Sequence, residues 1–435
     1  MSEARVEDDH DFGFETRQLH AGQRPDPNTG ARAVPIFQTT SYVFEDPESA
    51  AAYFNLQEYG NTYSRIMNPT VAVFEERVAN LEGGAGGVAF ASGIGAQAAA
   101  LFTLLEPGDH LVSSQALYGG TVNQLKHLLR KMSVELTWVD PDDLDAWRAA
   151  VRPTTKAFFA ETIGNPAGNV LDIEAVAAIA HEHDLPLIVD NTFATPYLCR
   201  PIEWGADIVV HSATKFLGGH GTSIGGVVVE AGTFDWSNGR FPVIADPSPA
   251  YHGLKFHETF GTYGYLMKLR AETLRDLGAA LSPFNAFLFL QGLETLSLRM
   301  ERHVTNALAV ASYLESHELV SKVTYAGLPS SSYRPLVEKY LPLGAGAVFS
   351  FDCAGGRDAG TGLITGLTLW SHLANIGDAK SLVIHPASTT HRQLSDAELA
   401  AAGVGPGTVR LSVGTESVDD LVWDLDQALR KVASA

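Results

Sequence analysis

Between Ala206 and Gly221 the chain reads ADIVVHSATKFLGGHG. A short apolar, β-branched run, Ala206 to Val210, gives way to the polar cluster His211-Ser212-Ala213-Thr214-Lys215 and then to a glycine-rich turn. Such an apolar run is the mark of a strand buried on both faces, which demands a mostly parallel sheet covered by helices. Lys215 then falls at the carboxyl end of a strand, where open α/β sheets place their ligands. One strand earlier the pattern repeats, with Leu185-Pro186-Leu187-Ile188-Val189 closing on Asp190-Asn191.

The residue types at these two strand ends suit one cofactor. Ser212 and Thr214 can donate to a phosphate while Lys215 bonds covalently to an aldehyde, the combination that pyridoxal phosphate (PLP) demands. A surface lysine beside a glycine-rich loop has the same local pattern. What favours the cofactor is Asp190: a carboxylate just past a buried strand needs a partner, and a protonated pyridine nitrogen is one. The alternative for Asp190 is an ordinary turn residue.

At 435 residues, the chain is longer than one hydrophobic core usually organises. It divides into an arm, 1–75, a large domain, 76–295, and a small α+β domain, 296–435. Thirty Lys and Arg against 50 Asp and Glu leave a net charge of -20, which disfavours nucleic acid and anionic membranes as partners. Two cysteines far apart, Cys199 and Cys353, exclude a disulfide scaffold and a cysteine-based metal cluster. An acidic amino terminus and the lack of a long apolar run point to the cytoplasm.

The arm is punctuated by Pro25, Pro27, Gly30 and Pro35 and reads as extended and mostly non-helical, with a small helix near Ala50–Asn55. Having no core of its own, it must pack on something, and in a homo-oligomer that is often the neighbouring subunit. Near its end Arg65 offers a multi-donor fork suited to a phosphate, and Tyr63 faces the same way if the segment is extended. A tyrosine-rich turn with Arg65 paired to a surface carboxylate is the plainer alternative. A helix over about 70–81 follows, stopped by Gly83-Gly84. Next, a short strand turns at Ser92-Gly93-Ile94 into an Ala-rich helix whose unpaired N–H groups can hold an anion.

Strands and helices then alternate, and three loops stand out. Tyr118 is placed to stack on a flat heterocycle or to be an ordinary half-buried tyrosine. Asn165 can bond a cofactor's phenolic oxygen or open the turn before Pro166. The stretch Trp236–Glu258 is too long for an idle connection and is expected to help form the mouth of the site. Gly225–Glu230 reads as an antiparallel strand at the sheet's edge or carboxyl side. In the small domain, strands are expected at 320–325, 347–351 and 409–413 and helices at 358–367, 396–401 and 418–433. Ser381 starts a further strand, and Arg410, inside an alternating one, can clamp a carboxylate with two parallel N–H bonds. A solvated or salt-bridged arginine is the alternative, and His385-Pro386 can be structural.

Together these residues resemble the transsulfuration (Cys/Met metabolism) family of PLP enzymes over nearly the whole chain. The likeness is carried by Tyr63-Ser64-Arg65-Ile66-Met67-Asn68-Pro69-Thr70, Ala91-Ser92-Gly93, Leu117-Tyr118-Gly119, Asp190-Asn191-Thr192, Ser212-Ala213-Thr214-Lys215 with Gly219-His220, and Ser381-Leu382 before His385-Pro386. Phe14-Glu15-Thr16, Ser282-Pro283-Phe284-Asn285, Gln291-Gly292-Leu293-Glu294 and Ser371-His372-Leu373-Ala374-Asn375 resemble its O-acetylhomoserine sulfhydrylase branch. Methionine γ-lyases usually carry cysteine where this chain has Gly120. The boundary with O-succinylhomoserine-using relatives and cystathionine γ-synthases depends on pocket volume, not on a motif.

The resemblance implies the fold type I, aspartate aminotransferase-like architecture and a homotetramer of dimers with shared sites. Lys215 would carry the cofactor and shuttle protons, Asp190 would hold the pyridine nitrogen protonated, and Tyr118 would stack on the ring. Ser92, Gly93, Ile94, Ser212 and Thr214 would cup the phosphate, with Tyr63 and Arg65 reaching it from a neighbouring subunit. Arg410, Ser381 and Asn165, with Tyr63, would hold the substrate. The implied reaction joins O-acetyl-L-homoserine to sulfide or methanethiol, and no metal is expected.

Overall fold

A computed structural model describes residues 10–165, 168–389, 392 and 404–433. The large domain is built on seven strands: β1 (Gly86–Phe90), β2 (His110–Ser114), β3 (Glu135–Val139), β4 (Thr155–Glu161), β5 (Leu187–Asp190), β6 (Ile208–Ser212) and β7 (Gly226–Glu230). They lie in the order β1-β7-β6-β5-β4-β2-β3. From β3 to β6 the neighbours are parallel, and β7 is antiparallel to both β1 and β6. β7 therefore lies inside the sheet and not at its edge. It can thread there because Gly226 has no side chain: a Cβ would meet the Ser92 carbonyl oxygen at 2.4 Å.

The arm is mostly extended, but it holds two helices, α1 (Phe14–His20) and α2 (Pro47–Phe54). α1 is not apparent in the sequence because its tie is remote: Gln18, buried, donates to the Ser297 hydroxyl at 3.0 Å and accepts the Ser297 N–H at 3.1 Å. The next helix, α3 (Pro69–Glu82), crosses the expected boundary at residue 75 and packs on β1 and β7. Its start is set by Asn68, whose side chain caps the Thr70 and Val71 N–H groups ahead of Pro69. Its end is set by Gly83 in the left-handed region. α4 (Gly93–Leu104) begins at Ser92, whose hydroxyl accepts the Gly95 N–H at 3.0 Å.

Helices Pro283–Leu293 and Leu296–Glu315 meet at a turn at Glu294–Thr295 and lead into a second sheet. Its strands are β8 (Val320–Thr324), β9 (Val348–Cys353), β10 (Ser371–His372), β11 (Leu382–Ile384) and β12 (Thr408–Ser412), in the order β10-β11-β12-β9-β8. A helix, Arg334–Tyr340, not expected from the sequence lies between β8 and β9; helix Gly356–Gly366 packs on β9 and β12, and Val418–Ala433 packs against it and against Leu296–Glu315. The helix expected at 396–401 lies outside the described residues. One apolar cluster, from Val71 through Phe158 and Leu293 to Leu429, runs through both domains without a break. A shared core holds the two sheets in register, as a cleft between them requires.

Candidate active site

The carboxyl ends of β4, β5 and β6 open onto one cleft. Gly93, Ile94, Gln97, Tyr118, Thr121, Glu161, Asn165, Asp190, Ser212, Lys215, Asn375 and Arg410 are among its walls. The large-domain sheet supplies the floor, and the small domain supplies Asn375 and Arg410 from above. Gly377 explains how the upper loop descends: its φ is +75°, and a Cβ would lie 2.7 Å from the Phe216 nitrogen. Only glycine lets that loop rest on the backbone next to Lys215.

Lys215 Nζ donates to the Asn375 side-chain carbonyl. Burial, and the nearby Arg410 cation, lower the Lys215 pKa to about 8, so a proton can leave it near neutrality. Asp190 keeps part of its surface open to the cleft, yet the surrounding protein raises its pKa by desolvation; the Thr192 N–H, at 2.9 Å, pulls the other way. A cation on the open side is what such a carboxylate lacks. Arg410 is desolvated, which lowers its pKa, and among the described residues its guanidinium has one hydrogen bond, to Asn165 Oδ1 at 3.5 Å. Among the described residues no carboxylate lies within ion-pair distance of it.

The close approach of α4 to β6 forms an anion cradle. A Cβ on Gly93 would lie 2.6 Å from that of Ser212, so the first N–H groups of α4 face the end of β6 with nothing between. Gln97, one turn into α4, accepts from the Thr121 hydroxyl at 3.1 Å, while its amide nitrogen is buried without a partner. An unspent donor in a cleft is a place for a ligand. Acidic, basic and anion-binding groups thus stand where an aldehyde-bearing pyridine phosphate needs them.

Three expected site residues, Ser381, Ser92 and Thr214, sit otherwise than expected. Ser381 is fully buried off the cleft: its hydroxyl donates to Glu416 Oε2 at 2.9 Å and accepts the Gly414 N–H at 2.8 Å. Asn375, six residues earlier, takes the place beside Lys215. Ser92 and Thr214 border the cradle without lining the cleft, because Ser92 caps α4 and Thr214 is tied both ways to Gly225, at 3.2 and 3.1 Å. Tyr63 and Arg65 lie outside their own chain's cleft; Tyr63 is 43% exposed, and Arg65 stacks on it at 5.6 Å and donates to the Arg275 carbonyl. The stretch 236–258 contributes nothing to the cleft wall: Trp236, Phe241, Ile244 and Phe256 are buried in the core beneath the sheet's other face. His385 is a tether, bonded to Ser388 Oγ at 2.9 Å and the Pro406 carbonyl at 2.8 Å. Glu161 and Gln97, both on the cleft, were not singled out by the sequence. Glu161 ends an apolar strand as a turn residue would, and Gln97 lies within an Ala-rich helix.

This sheet, with a lysine and an aspartate at adjacent strand ends and an anion cradle where α4 meets the end of β6, defines the class of fold type I PLP enzymes. A model of the Cys/Met metabolism PLP-dependent enzyme family matches residues 15–430. An O-acetyl-L-homoserine sulfhydrylase from Leptospira meyeri is 51% identical over 97% of each chain. A homocysteine synthase from Schizosaccharomyces pombe is 52% identical over 98% of this chain and 99% of its own. A crystal structure from Campylobacter jejuni, described as an O-acetylhomoserine (thiol)-lyase with N'-pyridoxyl-lysine-5'-monophosphate, superposes with a TM-score of 0.93 at 42% identity, covering 96% of this chain and 100% of that one. The chain belongs to the Cys/Met metabolism family of PLP-dependent enzymes, and its cofactor is pyridoxal phosphate.

Proposed function

We propose that the chain is an O-acetyl-L-homoserine sulfhydrylase of methionine biosynthesis, replacing acetate at Cγ by sulfide to give L-homocysteine, or by methanethiol to give methionine. The observation that carries this reading is a lysine of lowered pKa and an arginine without a carboxylate partner in one cleft, beside an anion cradle. The relatives named above supply the acyl donor.

When bound, PLP supplies the electron sink that makes the α- and β-protons of the substrate removable. Lys215, released from Asn375, takes and returns those protons. Asp190, a carboxyl on the cleft floor, would hold the pyridine nitrogen protonated. The α4 N–H groups of Gly93 and Ile94 and the Ser212 hydroxyl hold the phosphate, and Tyr118 covers the ring. Arg410, steadied by Asn165, takes the substrate carboxylate as a bidentate partner. Tyr63 and Arg65 reach the phosphate from a second copy of the chain in a tetramer of dimers. Among the described residues no helix is long and apolar enough to cross a membrane, and the chain works in the cytoplasm.

The test is steady-state homocysteine formation from sulfide with O-acetyl- and O-succinyl-L-homoserine, set against ketobutyrate release from methionine. The acetyl ester is expected to dominate. Faster turnover of the succinyl ester would replace the donor, and dominant ketobutyrate release would make the chain a γ-lyase.

A further inference from the structure

Glu161 ends β4 in register with Asp190 at the end of β5, so the two carboxyls leave neighbouring strands on the same face and line the same cleft. Parallel strands are about 5 Å apart, too close for two desolvated anions to be tolerated without strong compensation. Asp190 has the Thr192 N–H at 2.9 Å and gains from His211 behind it. Among the described residues the Glu161 carboxyl has one donor, the Tyr118 N–H, 2.6 Å from Oε1.

Tyr118 needs that contact. Its ring is 49% exposed, and its hydroxyl has no hydrogen-bond partner among the described residues. Gly119 and Gly120 follow it, and nothing lies within 4 Å of where a Gly119 Cβ would be. Its carbonyl accepts the Val122 N–H at 3.0 Å within its own helix turn; Thr121 and Gln124 tie the following residues to α4, and Glu161 ties Tyr118 itself to the sheet.

We propose that Glu161 is a positioning residue of this site: as a neutral carboxyl it fixes the Tyr118 main chain, and with it the ring, over the cleft, and it leaves Asp190 as the single anion on the floor. The inference rests on the PLP reading of the cleft. Complete burial and the neighbouring Asp190 both push the Glu161 pKa well up, in keeping with a retained proton, and the Tyr118 N–H offsets this only in part. The other charged groups on the same cleft are Lys215, just past β6 of the large domain, and Arg410, on β12 of the small domain; neither is within ion-pair distance of Glu161.

Glu161→Gln keeps the acceptor and the neutral charge, Glu161→Ala removes both, and Glu161→Asp keeps an acid but draws it back by one methylene. In the holoenzyme, the visible circular dichroism of the bound cofactor and its retention on dialysis report the ring's seating, whichever acyl ester is turned over. Glu161→Gln is expected to keep both, with kcat/KM within about threefold of the wild type, whereas Glu161→Ala and Glu161→Asp should flatten the dichroic band and lose about 10- to 100-fold, mostly in kcat. Should Glu161→Ala fail to fold, Gln against Asp decides the matter. A Gln variant as impaired as the Asp variant would mean that the ionised charge is what counts and would overturn the proposal. So would Ala or Asp variants with an unchanged dichroic band. A wild type that makes no homocysteine yet shows these spectral differences would defeat the activity reading alone.

Discussion

The large sheet carries buried acids at both of its ends, and the two ends use them differently. At the carboxyl end of β4 and β5, Glu161 and Asp190 face a cleft, and each has one N–H from the protein. At the opposite end, Asp207 and Glu230 are buried, at 3% and 1% exposure, and each carboxyl is held by two donors from the protein. Asp207 Oδ2 accepts from His181 at 2.9 Å and from the Leu187 N–H at 2.8 Å. Glu230 accepts from the Trp236 indole at 2.6 Å and from the Leu266 N–H at 3.2 Å. Burial raises the pKa of all four. A perturbed carboxyl is therefore not in itself a site; what separates the two ends is whether the protein has left hydrogen-bonding capacity for a ligand.

The largest effect that tests this comparison is at Lys215. Lys215→Ala should abolish turnover while cofactor still binds non-covalently, and borohydride reduction followed by peptide mapping of the wild type should label this lysine and no other. On the reading proposed above, the cleft end draws Tyr63 and Arg65 from a second copy of the chain, whereas the groups bonded to Asp207 and Glu230 all lie within one. Mixing inactive Lys215→Ala subunits with inactive Arg65→Ala subunits should restore part of the activity, since a hybrid interface holds one intact site. No recovery despite demonstrated exchange of subunits would count against sharing.

Arg410 comes next. Removing one desolvated, charge-paired contact to a substrate carboxylate costs about 2–5 kcal/mol, or roughly 30- to several-thousand-fold in kcat/KM. Arg410→Ala should lose that much with O-acetyl-L-homoserine while its cofactor spectrum stays that of the wild type. A changed spectrum with a small kinetic loss would place Arg410 with the cofactor instead of the substrate.

How far the sequence reached follows the same division. Lys215 and Asp190 were legible because a buried strand and the polar residue at its end are contiguous in the chain. Asn375 and Ser381 were not separable, because which of them faces the cleft is decided by Glu416, 35 residues beyond Ser381, and by the way Gly377 rests on the Lys215 backbone. The inner position of β7 depends on pairing with β1, about 140 residues earlier, and on Gly226 passing Ser92. The stretch 236–258 was judged by its length and loop-forming residues, yet its aromatic residues close the core around the buried acid Glu230.

The smallest effect on activity, and the sharpest on the comparison, belongs to Glu230. Burial lifts its pKa from an ordinary 4.5 to about 8. Between those two values the folded chain holds a proton that the unfolded chain has released, so stability falls as pH rises through this window and levels off above about 8. The slope from this group is at most about 1.4 kcal/mol per pH unit. Glu230→Gln keeps an acceptor for one of the two donors, Trp236 or Leu266, and has no charge to lose; the lost bond is a cost that does not change with pH, so the difference between its melting temperature and that of the wild type should move in the variant's favour from about pH 5 to about pH 8. Its kcat/KM should match the wild type throughout, because none of its contacts reaches the cleft. A Glu230→Gln enzyme with unaltered melting but lost activity would show that the two ends of the sheet are coupled, and the contrast between acids held by two donors and by one would no longer explain where the site lies.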